Sequence, residues 1–209
     1  MKTKMLFFSV IAALLINATA LAQSKATYGI RAGVNFQNLN GKDNDGHNLD
    51  NKLKTGFNAG VNAEIPVGID FYLQPGLLFS TKGAKYDFQS VEVTQTISYL
   101  ELPINFLYKP ELGEGRLLLG FGPYAAFAVG GKIKGGGTDI DMDFGNEVGE
   151  TKPFDAGANL LAGYEFTNNF SFQLNAGLGL INMYNRPAGE GETSLKNTGF
   201  GLSLGYRFK

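Results

Sequence analysis

The sequence contains no cysteine and only one histidine among its 209 residues. Without cysteine there is no disulfide framework, no cysteine-ligated metal, no thiol nucleophile and no lipid-modified N-terminal cysteine. The single histidine, His47, lies in a polar stretch, whereas a catalytic base is normally held by packing beside its nucleophile. We therefore expect a protein that is not an enzyme, and the sequence indicates no cofactor.

Charged residues are also scarce, at 18% of the chain, and they nearly cancel, with 18 basic against 19 acidic. This balance lacks the basic excess that is typical of nucleic-acid binding, so no nucleic-acid partner is expected. Glycine is abundant instead, with 29 residues, and 44% of the chain is hydrophobic. Because glycine weakens helix interiors and the hydrophobic share argues against disorder, the composition favours an all-β protein.

Long apolar runs are absent after the N-terminal segment. There, a short basic start precedes an apolar run from Leu6 to Ile16, which is too short to span a bilayer as a helix. An A-x-A cleavage site follows at 20–22. We predict that residues 1–22 are a cleaved secretory signal peptide and that residues 23–209 form one exported domain.

The exported domain shows strict alternation of apolar residues with small or polar ones, which is typical of β-strands. The alternating segments have about the length of transmembrane strands, roughly 9–11 residues, and exceed ordinary strands. The eight segments are 28–36, 57–65, 71–80, 99–108, 116–127, 155–166, 170–180 and 198–208. This pattern predicts an all-β, eight-stranded antiparallel up-and-down transmembrane β-barrel in the outer membrane.

Short and long connections alternate between the eight segments. The short ones are 66–70, 109–115 and 167–169, and the long polar ones are 40–53, 81–93, 130–153 and 185–197. Outer-membrane barrels have short periplasmic turns and longer extracellular loops. We therefore expect both termini in the periplasm, and we expect the glycine-rich run 130–137 to be a flexible start to the third long loop.

The chemistry of the two strand faces indicates which one points outward. Glycine, asparagine, glutamine and serine dominate the non-apolar face, which suits a narrow lumen, whereas the apolar face places aromatic residues near strand ends, like interfacial girdles. The alternative is a soluble periplasmic barrel with an apolar interior that binds a hydrophobic ligand. The membrane interpretation implies contact with outer-membrane lipid and lipopolysaccharide.

Charged residues on the polar face are expected to form ion pairs that close the lumen, because buried charges must be paired and an eight-stranded barrel is just wide enough for side chains to fill. The candidates are Arg31, Glu64, Lys82, Glu101, Arg116, Asp155, Glu165 and Arg207. A conduit through the lumen is the alternative interpretation of these charges.

Prolines interrupt three of the predicted strands, at Pro75, Pro103 and Pro123. Because proline cannot donate to a β-ladder and a closed barrel has no free edge, we expect local bulges there, or strand ends closer to the prolines.

An acidic stretch in the third long loop is a weak candidate for a metal site. Asp139, Asp141, Asp143 and Glu150 match the spacing of a calcium loop at four positions, but Phe144 replaces the required glycine. Solvated acidic loops are common, so no specific metal is predicted.

The segment YLELPINFLYK at 99–109, the hairpin strand GANLLAGYEF at 157–166 and the ending GLSLGYRFK resemble the PorT-like family of small outer-membrane β-barrel proteins. The resemblance implies an eight-stranded barrel in a Gram-negative bacterium. Two functions stay open under this resemblance. One is a structural or interaction role, and the other is that of a membrane subunit in a secretion or assembly complex. The ending also resembles the C-terminal aromatic signal that the barrel-assembly machinery reads, although Lys209 follows Phe208.

Overall fold

The computed structural model describes residues 26–145, 147–148, 150–185 and 193–208. The predicted signal peptide, residues 1–22, lies outside them. No helix within the described residues is long and apolar enough to cross a membrane.

The described residues contain ten strands, of which eight are long. The strands are β1 (Thr27–Lys42), β2 (Lys54–Gly68), β3 (Phe71–Phe88), β4 (Val91–Tyr108), β5 (Glu111–Leu112), β6 (Gly115–Gly135), β7 (Thr138–Asp141), β8 (Phe154–Glu165), β9 (Phe170–Gly179) and β10 (Ser194–Phe208). Strands of 10 to 21 residues, far longer than the usual 5–6, form the ring.

The eight long strands close into a barrel. They follow the order β4-β3-β2-β1-β10-β9-β8-β6, and a further ladder between β4 and β6 completes the ring. Every pairing between long strands is antiparallel, and β5 and β7 are short additions to β6. The predicted eight-stranded antiparallel barrel is confirmed. We call the end where β1 begins and β10 finishes the terminal end, and the opposite end the distal end.

The two faces of the wall have opposite chemistry. On the outside, Val61 and Leu204 are 52% and 66% exposed, whereas on the inside Gln74 and Ser203 are 3% and 2% exposed. The soluble alternative, which requires an apolar interior, is therefore wrong. Aromatic rings pair at both borders of the apolar belt, such as Phe71 with Tyr108 at the terminal end (4.9 Å between ring centroids). At the distal border, the paired rings are Phe36–Phe200 and Phe57–Phe79.

Two of the predicted long loops are mostly strand. Between 81 and 93, β3 and β4 continue to a tight turn at Gln89 and Ser90, both with positive φ. Residues 130–135 extend β6, and a second tight turn at Gly136 and Gly137, again with positive φ, leads into β7. The flexible start expected for the third loop is wrong, because pairing with β4 and β7 holds the glycine-rich run in a sheet.

The three prolines lie inside strands without shifting their register. Pairing is interrupted beside Pro75, Pro103 and Pro123, yet it resumes in the same register on either side. The register shifts occur elsewhere, between Pro66 and Gly68 and between Ser98 and Tyr99. The expected bulges at the prolines are therefore wrong, because long ladders on both sides hold each strand in place.

A test of the crowded lumen is the substitution Gly122→Ala. A methyl group at Gly122 would overlap the carbonyl oxygen of Ile104 and lie 2.8 Å from the Cα atom of Asn105. We expect a loss of about 1–3 kcal/mol in unfolding free energy from overpacking, measured by urea titration in lipid vesicles. Gly130→Ala is the matched control, because its methyl group would meet no atom within 4 Å. Equal stability of the two variants would contradict this account.

Candidate functional site

A four-residue ion-pair network, the terminal cluster, fills the lumen near the terminal end. Lys109 Nζ lies 2.6 Å from Glu64 Oε2 and 3.0 Å from Glu165 Oε2, and Arg207 binds Glu64 from the other side. Gln74 and Asn62 add hydrogen bonds to Glu64 and Arg207. The strands β2, β8 and β10 and the end of β4 each contribute one charge, so the cluster joins opposite sides of the wall.

A second network, the distal cluster, lies on the other side of the barrel waist. Lys82 Nζ is 2.7 Å from Glu101 Oε2 and 3.7 Å from Asp155 Oδ2, and it lies over the ring of Tyr124 at 4.2 Å. The fully buried Asp155 also accepts hydrogen bonds from Tyr124 and Asn197. Two neutral donors and Lys82 thus all meet Asp155 Oδ2, whereas Asp155 Oδ1 is buried without a hydrogen-bond partner among the described residues.

Two arginines of the predicted set have other partners. Arg31 donates to Asn175 Oδ1 at 3.3 Å, and among the described residues no carboxylate lies within ion-pair distance of it. Arg116 is at the terminal rim, where it donates to the Tyr72 hydroxyl and lies 3.8 Å from the exposed Glu111. The charges of the two clusters and Arg31 cancel, because the terminal cluster is neutral and the distal cluster carries one excess negative charge.

An apolar cap closes the lumen at the distal end. Met183, in the chain between β9 and β10, is fully buried, and the Tyr99 hydroxyl donates to its sulfur at 3.0 Å. Its backbone amide bonds to Leu195 O at 2.9 Å, which anchors this chain segment to β10. The cap consists of Leu39, Ala84, Ile97, Tyr99, Tyr124, Ala126, Ala128 and Met183. No motif in the sequence distinguishes Met183 from an ordinary loop methionine.

The structure therefore assembles six of the eight predicted lumen charges into two networks, namely Glu64, Lys82, Glu101, Asp155, Glu165 and Arg207. Sequence reasoning placed the central cation, Lys109, in a turn. The alternation of β4 could have identified it, because Lys109 continues the inward series of Glu101 and Asn105. Between the clusters, a cavity of about 60 Å³ is lined by asparagines, with Arg31, Ser80 and Lys82.

The acidic metal candidates are not gathered into one site. Asp139 and Asp141 face Lys134 and Lys132 across the β6–β7 hairpin, at 2.7 Å and 3.7 Å. Within the described residues, the one group of three potential metal ligands is Asp43, Asp45 and His47, in the exposed loop after β1. Hydrogen bonds from the backbone amides of Asp45 and His47 already occupy Asp43 Oδ1.

The chain is similar to a known protein family and to solved outer-membrane protein structures. The chain matches the outer membrane protein beta-barrel domain over residues 21–185. The structure of Neisserial surface protein A (NspA) aligns with 88% of this chain and with 99% of its own chain. The two share 12% sequence identity, with a TM-score of 0.50. Ail, the attachment invasion locus protein of Yersinia pestis, has the same coverage at 16% identity and a TM-score of 0.44.

The comparison with curated proteins gives no match. The family match nevertheless spans most of the chain, and it agrees with the closed eight-stranded ring, the lipid-compatible exterior and the polar lumen. The chain belongs to the family of the outer membrane protein β-barrel domain.

Proposed function

We propose that this barrel is a non-conducting integral protein of the outer membrane of a Gram-negative bacterium, with a structural or interaction role rather than a catalytic one. The observation that carries the proposal is the closure of the lumen at three levels. The terminal cluster, the distal cluster and the apolar cap each consist of side chains that are at most 15% exposed and that contact one another.

Closure of this kind disfavours ion passage for a physical reason. An ion crossing the terminal cluster would have to separate Lys109 from Glu64 and Glu165, which leaves buried charges without partners. At the cap it would meet apolar side chains, which do not replace its hydration shell. Passage would therefore require several networks to open together.

The first test of the proposal is electrical recording. We expect the refolded protein, residues 23–209, to give no conductance steps in planar bilayers. A shift in electrophoretic migration on heating serves as the control that the protein has folded. Reproducible single-channel steps from folded protein would overturn the closed-lumen proposal.

In the cell, we propose that the signal peptide directs export and that the barrel-assembly machinery inserts the protein into the outer membrane. Lipid and lipopolysaccharide then contact the apolar belt. On this assignment the terminal end faces the periplasm and the distal end faces outward, because the short turns lie at the terminal end. In cell fractionation, the protein should sediment with the outer membranes, and only detergent should extract it from them. Release into the soluble periplasmic fraction would contradict the assignment.

A second candidate role, a membrane subunit of a secretion or assembly complex, is favoured by the turn between β2 and β3. Ile69 lies in this turn and is 89% exposed, and Val67, at the end of β2, is 56% exposed. A large apolar side chain in water suits a protein partner. The resemblance to PorT-like proteins points in the same direction.

The subunit role predicts that Ile69→Asn weakens partner binding. We expect about a tenfold loss of the co-purifying protein in mild detergent, as burial of one isoleucine side chain supplies such an energy. Phe88→Asn is the matched control, because Phe88 is also an exposed large apolar side chain, at 61%, but lies at the distal end of the barrel. Equal loss in both variants, or in neither, would contradict a partner at the terminal end.

A further inference from the structure

The strands continue beyond the distal aromatic border as a four-stranded sheet, which we call the distal sheet. It consists of residues 84–96 from the β3–β4 hairpin and residues 131–141 from the β6–β7 hairpin. The alternation of the strands continues into it, but the chemistry of the two faces is exchanged. The face continuous with the barrel exterior carries Lys85, Asp87, Lys132, Lys134, Asp139 and Asp141, and the face continuous with the lumen carries Tyr86, Phe88, Val91, Val93, Ile133 and Ile140.

One edge of the distal sheet is covered by the chain itself. Lys52, in the loop before β2, exchanges two backbone hydrogen bonds with Lys85 on β3, at 2.7 and 3.0 Å. Its side chain donates to Asp87 at 2.7 Å, and this hydrogen bond raises the pKa of Lys52. The β3 edge is therefore capped by a paired, charged segment, a common protection of sheet edges.

At the other edge of the distal sheet, no described strand pairs with the outer side of β7. Gly135 and Thr138 flank a two-residue turn, so they form a hydrogen-bonded pair with each other. In an antiparallel ladder, hydrogen-bonded pairs alternate with non-hydrogen-bonded pairs. The bond from Met142 N to Gly131 O, at 3.0 Å, agrees with this alternation. It follows that Asp139 and Asp141 point their backbone N–H and C=O groups away from β6, along an edge where all four β7 residues are exposed.

The same edge already binds an extended segment a few residues further on. The backbone oxygen of Asp143 accepts the amide of Thr151 at 3.2 Å, and Gly145 N donates back to Thr151 O at 3.1 Å. Residues 143–145 are thus paired with the chain's own Thr151. Within the described residues, nothing covers the corresponding groups of Asp139 and Asp141.

We propose that the β7 edge binds an extended segment of another protein as an added strand, in which basic residues alternate with apolar ones. The proposal rests on the interaction role proposed above and names the chemistry of the partner. Main-chain hydrogen bonds to Asp139 and Asp141 provide the attachment, as in other cases of strand addition.

The side chains of β7 determine the sequence of the partner. On the charged face, the Asp141 side chain is 85% exposed, and among the described residues its cation partner is Lys132 at 3.7 Å, so its outer side is open to a second cation. On the apolar face, Ile140 is 58% exposed beside Ile133. Residues directly opposite one another in a ladder interact, so a new strand should place Lys or Arg next to the aspartates and an apolar residue next to Ile140.

The test uses the folded protein in lipid nanodiscs and a fluorescent peptide of alternating lysine and valine. A peptide of alternating glutamate and valine is the charge control. We expect the lysine peptide to bind at least tenfold more tightly than the glutamate peptide, and the double variant Asp139→Lys, Asp141→Lys to reverse this order. Equal binding of both peptides, or no binding of either, would overturn the proposal.

A second pair of variants tests the main-chain contact. Asp141→Pro removes the outward N–H without removing a bond to β6, and Asp141→Asn removes the same charge but keeps the N–H. Asp141→Pro should bind the lysine peptide about tenfold more weakly than Asp141→Asn, and equal affinities would overturn strand addition. Dimerisation that competes with the peptide would assign the edge to a second copy instead. Bilayer recordings on the same variants report separately on the closed lumen.

Discussion

Replacing Glu64 with glutamine is expected to destabilise the barrel by about 3–5 kcal/mol, the range for breaking a buried ion pair by removal of one partner. Glu64 is 2% exposed and binds both Lys109 and Arg207. After the substitution Lys109 still has Glu165, but Arg207 keeps only a neutral partner, the amide oxygen of Asn62. The expected loss is tested by measuring the free energy of unfolding of both proteins by urea titration in lipid vesicles.

Glu111→Gln is the matched control. Glu111 lies 3.8 Å from Arg116 at the terminal rim and its side chain is 81% exposed, so its removal should change stability by no more than about 0.5 kcal/mol. The double variant Glu64→Gln, Arg207→Gln should recover part of the loss, because it restores a neutral cluster around Lys109 and Glu165. If Glu64→Gln behaves like Glu111→Gln, the terminal cluster does not hold the lumen together.

The alternation of the sequence was sufficient to predict the eight wall strands and their faces, because lipid outside and a crowded polar lumen inside act on every second residue. The sequence predicts a loop at segment 81–93 because the segment is polar, with charged residues such as Lys85 and Asp87. Its alternation still has period two. The apolar residues, including Ala84 and Phe88, face inward there, since water replaces lipid on the outside of the distal sheet.

The partners of the lumen charges could not be derived from the sequence. Ion pairing across the lumen depends on the stagger of strands that are far apart in the chain, as for Glu64 and Arg207, which are 143 positions apart. Alternation locates a residue on a face but does not give its height along the barrel axis. The predicted set therefore combined Arg116, at the terminal rim, and Arg31, at the waist, with the true cluster members.

The distal cluster predicts a similarly large effect for Lys82→Met. Lys82 is 7% exposed and is the cation that approaches both Glu101 and Asp155. Methionine keeps most of the side-chain volume but leaves two carboxylates buried together. We expect a loss of about 3–5 kcal/mol in the same urea titration, since both an ion pair and a contact with the ring of Tyr124 disappear.

Adding Glu101→Gln to Lys82→Met should restore much of this stability, because Asp155 would remain as a single carboxylate that accepts hydrogen bonds from Tyr124 and Asn197. Lys85→Met is the control on the same strand. Lys85 lies 2.8 Å from Glu92 in a pair exposed to solvent, so its loss should stay within about 1 kcal/mol. If the second substitution deepens the loss instead, packing by Lys82 and not its charge stabilises this part of the lumen. If it restores stability, charge balance inside the wall selects the residues at these positions.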